Sequence, residues 1–210
     1  MNKNSKIIKI FKKEITSEIP IWFLRQAGRH IPEYFSIRSK ASNFIDFCSN
    51  TNLIVESTKL PLKYYDIDAA IVFSDILMIP WAMNRNVNFI QGVGPVMDPM
   101  IPNETVILDN INIINYIKPL EKALTILRSS LPSEICLIGF AGAPWTLACY
   151  MIDGGSSKDF IETRKAVWGS NKWFNKLIET LIVYVADILE MQAKAGADVL
   201  MIFDSWSHMI

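Results

Sequence analysis

The chain has 210 residues, half of them hydrophobic and a fifth charged, with 21 lysines and arginines balanced by 21 aspartates and glutamates. This composition describes a soluble globular chain with ample core-forming material. Zero net charge excludes a global field that would draw in nucleic acid or an anionic membrane, so any anion site has to be built locally.

In chain order, Met1 to Ile15 mixes lysines through its apolar residues (Ile7, Ile8, Lys9, Ile10, Phe11, Lys12, Lys13) and lacks the unbroken apolar core of a signal peptide. The apolar run Ile19 to Leu24 predicts a first buried strand. Arg25-Gln26-Ala27-Gly28-Arg29 and His30-Ile31-Pro32-Glu33-Tyr34 follow it directly. Arginine is permanently charged and forks onto carboxylates in bidentate pairs. Two guanidiniums at the end of a buried strand are costly unless an anionic partner arrives. Spacing alone leans towards structural ion pairs over an anion site; Gly28, which lets the backbone come close to something, weakens that reading. Asn52 to Tyr65 predicts an amphipathic helix interrupted by Pro61, and Ala69 to Phe73 a second strand leading to Ser74-Asp75. Taken alone, Asp75 is equally a helix N-cap or a functional carboxylate. Asn84 to Pro102, with Gly92, Gly94, Pro95 and Pro99, reads as a long excursion in which a hairpin is an option.

Tyr116 to Leu131 carries Leu120, Ala123, Leu124 and Leu127 at helical spacing, and Ile135 to Phe140 predicts a third strand. Phe160 to Trp168 and Trp173 to Ala195 are two further helices, the longer closed by Gly196 as a C-cap. Ala197 to Phe203 is the fourth strand, ending at Asp204-Ser205. The longest apolar stretch, Leu181 to Leu189, is short and broken by Asp187, so no membrane span is expected and the cytoplasm is the default location. Cys48, Cys136 and Cys149 are widely spaced, and the histidines are His30 and His208, which predicts no zinc site. Cys136 reads as buried filler, and Cys149 has no histidine near it in sequence to make it a nucleophile. Gly154-Gly155-Ser156-Ser157-Lys158 lacks the spacing of a phosphate loop and reads as a turn and helix N-terminus.

The four apolar runs are continuous rather than alternating, as strands covered on both faces should be. Strand–helix alternation implies parallel sheet with right-handed crossovers, in a doubly wound sheet or a (β/α)8 barrel. Arg25 and Gln26, Ser74 and Asp75, Ala141 to Pro144, and Asp204 and Ser205 each follow a strand's carboxyl end, which favours the TIM-type barrel. A doubly wound sheet would gather its ligand contacts at one switch point.

Arg25 to Tyr34 resembles the first signature of the uroporphyrinogen decarboxylase family, and Gly139-Phe140-Ala141-Gly142-Ala143-Pro144-Trp145-Thr146-Leu147, running on through Tyr150 to Lys158, resembles its second. Phe73-Ser74-Asp75-Ile76-Leu77 and Ile202-Phe203-Asp204-Ser205-Trp206 resemble two further segments of that family, in its order. The resemblance implies an α/β barrel. A complete barrel takes about 250 residues or more, and four strands are identified. Residues 1–210 are therefore expected to form a single incomplete barrel domain, roughly the first half, which in relatives continues beyond the C-terminus.

The resemblance also implies a reaction: decarboxylation of the acetate arms of uroporphyrinogen III to methyl groups, giving coproporphyrinogen III, without a cofactor. A pyrrole can itself hold the electrons that most decarboxylases pass to a cofactor. Protonation of a ring carbon makes a cationic sink, carbon dioxide leaves, and the exocyclic carbon is then protonated. By resemblance Asp75 is catalytic, accepting hydrogen bonds from the pyrrole N–H groups and opposing the developing cation. Arg25 is its catalytic companion, although a guanidinium with pKa above about 12 is a poor acid and proton donation from it stays open. The backbone of Arg25, Gln26, Ala27, Gly28 and Arg29 lines the substrate site, Arg25 and Arg29 hold carboxylates, and Tyr150 and Ser205 donate hydrogen bonds. No metal is expected. The family also uses a histidine from its C-terminal half, to which nothing here corresponds, so this chain alone is expected to be inactive; a homodimer is expected at full length. Two other readings remain, a related zinc-dependent barrel that transfers methyl groups to a corrinoid or thiol, and a non-catalytic tetrapyrrole-binding fragment.

Overall fold

The computed structural model describes residues 4–24, 26–100, 113–169 and 171–209. Its helices are α1 (Lys6–Phe11), α2 (Pro32–Arg38), α3 (Phe44–Cys48), α4 (Thr51–Lys59), α5 (Met78–Ala82), α6 (Ile113–Tyr116), α7 (Lys118–Ser130), α8 (Pro144–Asp153), α9 (Ile161–Trp168) and α10 (Lys172–Lys194). The strands are β1 (Ala69–Ile71), β2 (Asn88–Ile90), β3 (Gly94–Val96), β4 (Cys136–Gly142) and β5 (Val199–Phe203). The chain divides into two compact units, the first made of Met1–Asp75, Ile117–Phe140 and Leu189–Met201, the second of Ile76–Tyr116, Ala141–Ile188 and Ile202–Ile210.

In the first unit β1 and β4 run parallel, with Ala69 opposite Cys136 and Ile71 opposite Ile138, and the sheet order is β1-β4-β5. Ala69, Cys136 and Ile138 are buried together with Ile8 of α1, and Trp22, Ile71, Val199 and Met201 pack against them. A second core is aromatic. Phe47 of α3 lies 4.7 Å from Phe73 and 5.9 Å from Tyr34 of α2, with Ile31, Ile37, Leu53 and Leu60 filling around them. Each such fully buried side chain contributes about 1.5–3 kcal/mol relative to exposure. The Asn50 side chain caps α4 by accepting from the N–H groups of Asn52 and Leu53 at 3.0 and 3.2 Å. This helix gives way at Leu60 to a 3-10 turn, Leu60–Lys63, because Pro61 has no N–H for the α-helical ladder. Leu120, Ala123, Leu124 and Leu127 form the buried face of α7. Gly196, just past α10, has φ +111°, a conformation that only glycine adopts without strain.

The predicted first strand requires correction. Residues 19–24 join no ladder, and Ile19 and Leu24 are 86% and 62% exposed. The segment is tied to the start of β1 through Asp68, whose carboxylate accepts the Ile21 N–H at 2.7 Å and whose own N–H donates to the Ile21 carbonyl at 2.8 Å. Pro20 supplies no N–H to a ladder, and the main-chain groups of Ala69 and Ile71 are already engaged by the Gln26 side chain. The second strand is also shorter than expected, ending at Ile71 instead of Phe73.

In the second unit β2 and β3 form the antiparallel hairpin left open for the long excursion, with Asn88 opposite Val96 and Ile90 opposite Gly94. The last part of that excursion, residues 101–102, lies outside the described residues. Helix α8 buries Trp145, Leu147, Ala148, Cys149, Met151 and Ile152. It stops at Gly154, and the Gly154–Lys158 run connects α8 to α9, which begins three residues later at Ile161. The Asp153 carboxylate joins the two helices by accepting the N–H and hydroxyl of Thr163 at 3.1 and 2.6 Å.

Candidate active site

The expected site residues fall into two groups, one in each unit. In the first unit, Arg25 lies outside the described residues. Its neighbour Gln26 is only 5% exposed. The carboxamide of Gln26 donates to the Ala69 carbonyl at 3.0 Å and accepts from the Ile71 N–H at 3.3 Å, standing in for a neighbouring strand along β1. Ala27 and Gly28 are half-buried and Arg29 is exposed. Among the described residues Arg29 makes no ion pair. A Cβ placed on Gly28 would meet only the His30 ring, at 3.6 Å, an ordinary contact; packing does not require the glycine.

Beyond β1 the chain passes through Phe73 and Ser74 to Asp75, which is half-buried. The route is held by Thr58 of α4, whose buried hydroxyl accepts the Phe73 N–H at 2.9 Å while donating to the Ile54 carbonyl at 2.7 Å. Asp75 is not the N-cap residue of the helix that follows; α5 starts at Met78 and its N-cap is Leu77. The Asp75 charge is felt nearby. Burial first, and then that carboxylate, push the Cys48 thiol well above its ordinary pKa. The carboxyl end of β4 is secured in a related way by Gln192 of α10, which accepts the Phe140 N–H and donates to the Phe140 carbonyl, both at 2.8 Å. Gly139 makes room for it, since a Cβ there would lie 2.5 Å from the Gln192 oxygen.

In the second unit Tyr150 and Ser205 are brought together by residues to which the sequence reading gave no role. Thr146 of α8 is fully buried. Its hydroxyl donates to the Asp204 carboxylate and accepts the Ser205 N–H, each at 2.9 Å. The Trp145 indole donates to the Trp206 carbonyl at 2.8 Å, and the Ala143 N–H donates to the Phe203 carbonyl at 2.8 Å. The start of α8 therefore fixes the whole exit of β5. Trp206 in turn meets the Tyr150 ring edge-on at 4.7 Å and packs on Phe160 at 4.4 Å. Trp145 and Thr146 stand within the second signature block, the one sequence signal that could have drawn attention to them; Thr58 and Gln192 carry no such signal.

Burial raises the Cys136 and Cys149 thiols to about 12, with the charges of Asp198 and of Asp153 and Asp204 adding to the effect, so both stay protonated at neutral pH. Among the described residues no group of three or more His, Cys, Asp or Glu side chains is placed to hold a metal ion. No described helix is long and apolar enough to cross a membrane.

The family model described as uroporphyrinogen decarboxylase (URO-D) matches residues 2–210. The chain is 41% identical over 204 residues to a uroporphyrinogen decarboxylase of Maricaulis maris, covering 96% of this chain and 59% of that protein. It is 40% identical over 207 residues to one of Brucella ovis, covering 99% of this chain and 61% of that protein. It thus spans about 60% of the length of these curated relatives. Among solved structures it superposes on a methyltransferase from Methanosarcina mazei with TM-score 0.72 and 14% identity, over 93% of this chain and 57% of the other, a likeness of fold alone. Together with the parallel β1–β4 pairing and its alternating helices, these matches bear out the α/β barrel class. The chain belongs to the uroporphyrinogen decarboxylase family.

Proposed function

We propose that the protein to which this chain contributes decarboxylates the acetate arms of uroporphyrinogen III to methyl groups, yielding coproporphyrinogen III for haem biosynthesis. The observation that carries this reading is the family match over residues 2–210, with Asp75, Arg29, Tyr150 and Ser205 all present in the matched segments. In the proposed reaction a proton adds to a pyrrole ring carbon, and the bond between the acetate carboxylate and its methylene breaks. The electron pair flows into the cationic ring and carbon dioxide departs. A proton added at the methylene completes the methyl group, and the ring carbon then releases the proton it had taken, restoring the pyrrole with one proton consumed per carbon dioxide. Asp75 accepts from the pyrrole N–H groups, and its charge stabilises the cation as it forms. Arg25 and Arg29, with the main chain from Gln26 to Gly28, take the substrate carboxylates. Tyr150 and Ser205 offer hydroxyl donors to them. The ring itself is the electron sink, so the proposal assigns no cofactor.

We further place the protein in the cytoplasm, as a homodimer at full length, its barrel completed by the portion its relatives carry beyond this span. The methyltransferase reading draws only on a likeness of fold, and the residues here suit a polycarboxylate. The test is to co-express the chain with the C-terminal portion of the Maricaulis maris relative and supply uroporphyrinogen. Carbon dioxide and a product with methyl groups in place of acetates are expected. Tetrapyrrole binding without carbon dioxide release would favour the non-catalytic reading instead.

A further inference from the structure

We propose that Gln26 is a positioning residue, whose side chain never meets substrate but locks the 26–29 loop onto β1 and so aims the loop's main chain at substrate carboxylates. The inference rests on the reading above, that this loop binds carboxylates. Gln26 follows Arg25 and lies three residues before Arg29 in the sequence, where a side chain directed outward would be expected to serve the anion site. The side chain is instead buried, with both ends of its amide engaged, donating to Ala69 at 3.0 Å and accepting from Ile71 at 3.3 Å. Asp75 lies four residues beyond Ile71 in the same chain segment. One carboxamide therefore couples the loop that would bind anions to the strand that delivers the carboxylate.

The chemistry selects glutamine. Ala69 presents an acceptor and Ile71 a donor, and an uncharged group carrying both functions at that spacing is a carboxamide. A charged side chain would meet one partner of the wrong polarity in a buried place. With the loop fixed from within, packing does not require a glycine at Gly28, where a Cβ would meet only the His30 ring, so the missing side chain serves a close approach to the main chain.

Gln26→Glu separates this role from direct contact. Ionised, the carboxylate opposes the Ala69 carbonyl with a second acceptor. Protonated, it regains the donor, and burial favours that form by raising its pKa. The probe is uroporphyrin, the oxidised tetrapyrrole, titrated between pH 6 and pH 8.5 against the completed barrel, this chain co-expressed with the C-terminal portion of the Maricaulis maris relative, together with amide protection at Ile71. Gln26→Ala should bind about tenfold more weakly at every pH, the order expected for losing a buried hydrogen-bonding group. Gln26→Glu should bind as weakly at pH 8.5 and approach the parent at pH 6, with the Ile71 amide less protected than in the parent at the high pH, where the ionised side chain turns away from the Ala69 carbonyl, and equally protected at the low. A loss in Gln26→Glu that does not change with pH would mean direct contact with ligand, and fast Ile71 exchange with unchanged affinity would mean a purely structural residue; either overturns the proposal. If the completed parent barrel does not bind uroporphyrin at all, the carboxylate-loop reading fails and the proposal falls with it, whatever Ile71 does.

Discussion

Residues 19–24 and residues 199–203 are both short apolar runs that lead into a candidate site, yet one lies extended and exposed while the other is a strand of the sheet. The difference lies at their entrances. Asp198, immediately before β5, is almost fully buried; its carboxylate accepts the Leu137 N–H at 2.9 Å and the Arg128 guanidinium at 2.5 Å, while its own N–H donates to the Leu137 carbonyl at 2.7 Å. The Arg128 guanidinium also donates to the carbonyls of Ile135 and Pro132, gathering the approaches to β4 and β5. The earlier run has Pro20 where a ladder needs an N–H, and its natural neighbour is occupied by Gln26. Hydrophobicity qualifies a segment to be a strand, but a partner with free N–H and C=O groups, and an anchor that sets register, make it one.

Asp198→Ala tests that contrast most severely. It leaves a half-buried guanidinium and an orphaned Leu137 N–H, and should lower stability by about 3–5 kcal/mol, the range for breaking a buried ion pair. A chemical-denaturation midpoint unchanged from the parent would mean that β5 is held by its apolar side chains alone. Gly139→Ala probes the other end of the sheet. The added methyl collides with the Gln192 amide, so we expect a loss of about 1–3 kcal/mol and faster exchange of the Phe140 amide. Slow Phe140 exchange in this variant would show that the Gln192 clamp is dispensable.

The smallest effect concerns pH. Cys136 sits opposite Ala69, and its folded pKa of about 12 exceeds the ordinary thiol value. The unfolded chain therefore gives up this proton first, so the stability it confers is complete below about pH 9 and is lost as pH rises towards 12. The slope is at most about 1.4 kcal/mol per pH unit per thiol. Cys136→Ala should flatten that alkaline decline, as read from unfolding midpoints at pH 8, 9 and 10; an unchanged slope would place the titration elsewhere.

Much of the fold was legible because it rests on periodicity and punctuation. The buried face of α7, the cap at Gly196, and the positions of β4 and β5 follow from apolar spacing and a single glycine. Helix α8 was not legible as a helix, since it is apolar on nearly every side and shows no 3.6-residue alternation. The strand expected at 19–24 does not form because its fate is decided by Gln26, a residue beyond its own end. At the candidate site, Arg29, Asp75, Tyr150 and Ser205 stood out by motif. The residues that hold these segments, Thr58, Thr146 and Gln192, make long-range bonds to main chain, and nothing in local sequence announces such a bond.

The central claim is that Asp75 stabilises a cationic tetrapyrrole. It is tested most directly by single-turnover decarboxylation of uroporphyrinogen with Asp75→Ala in the completed barrel. The account predicts a rate of carbon dioxide release lower by about a thousandfold, the scale of losing a preorganised electrostatic group, with uroporphyrin still bound and the unfolding midpoint preserved. Near-normal release from that variant would contradict it.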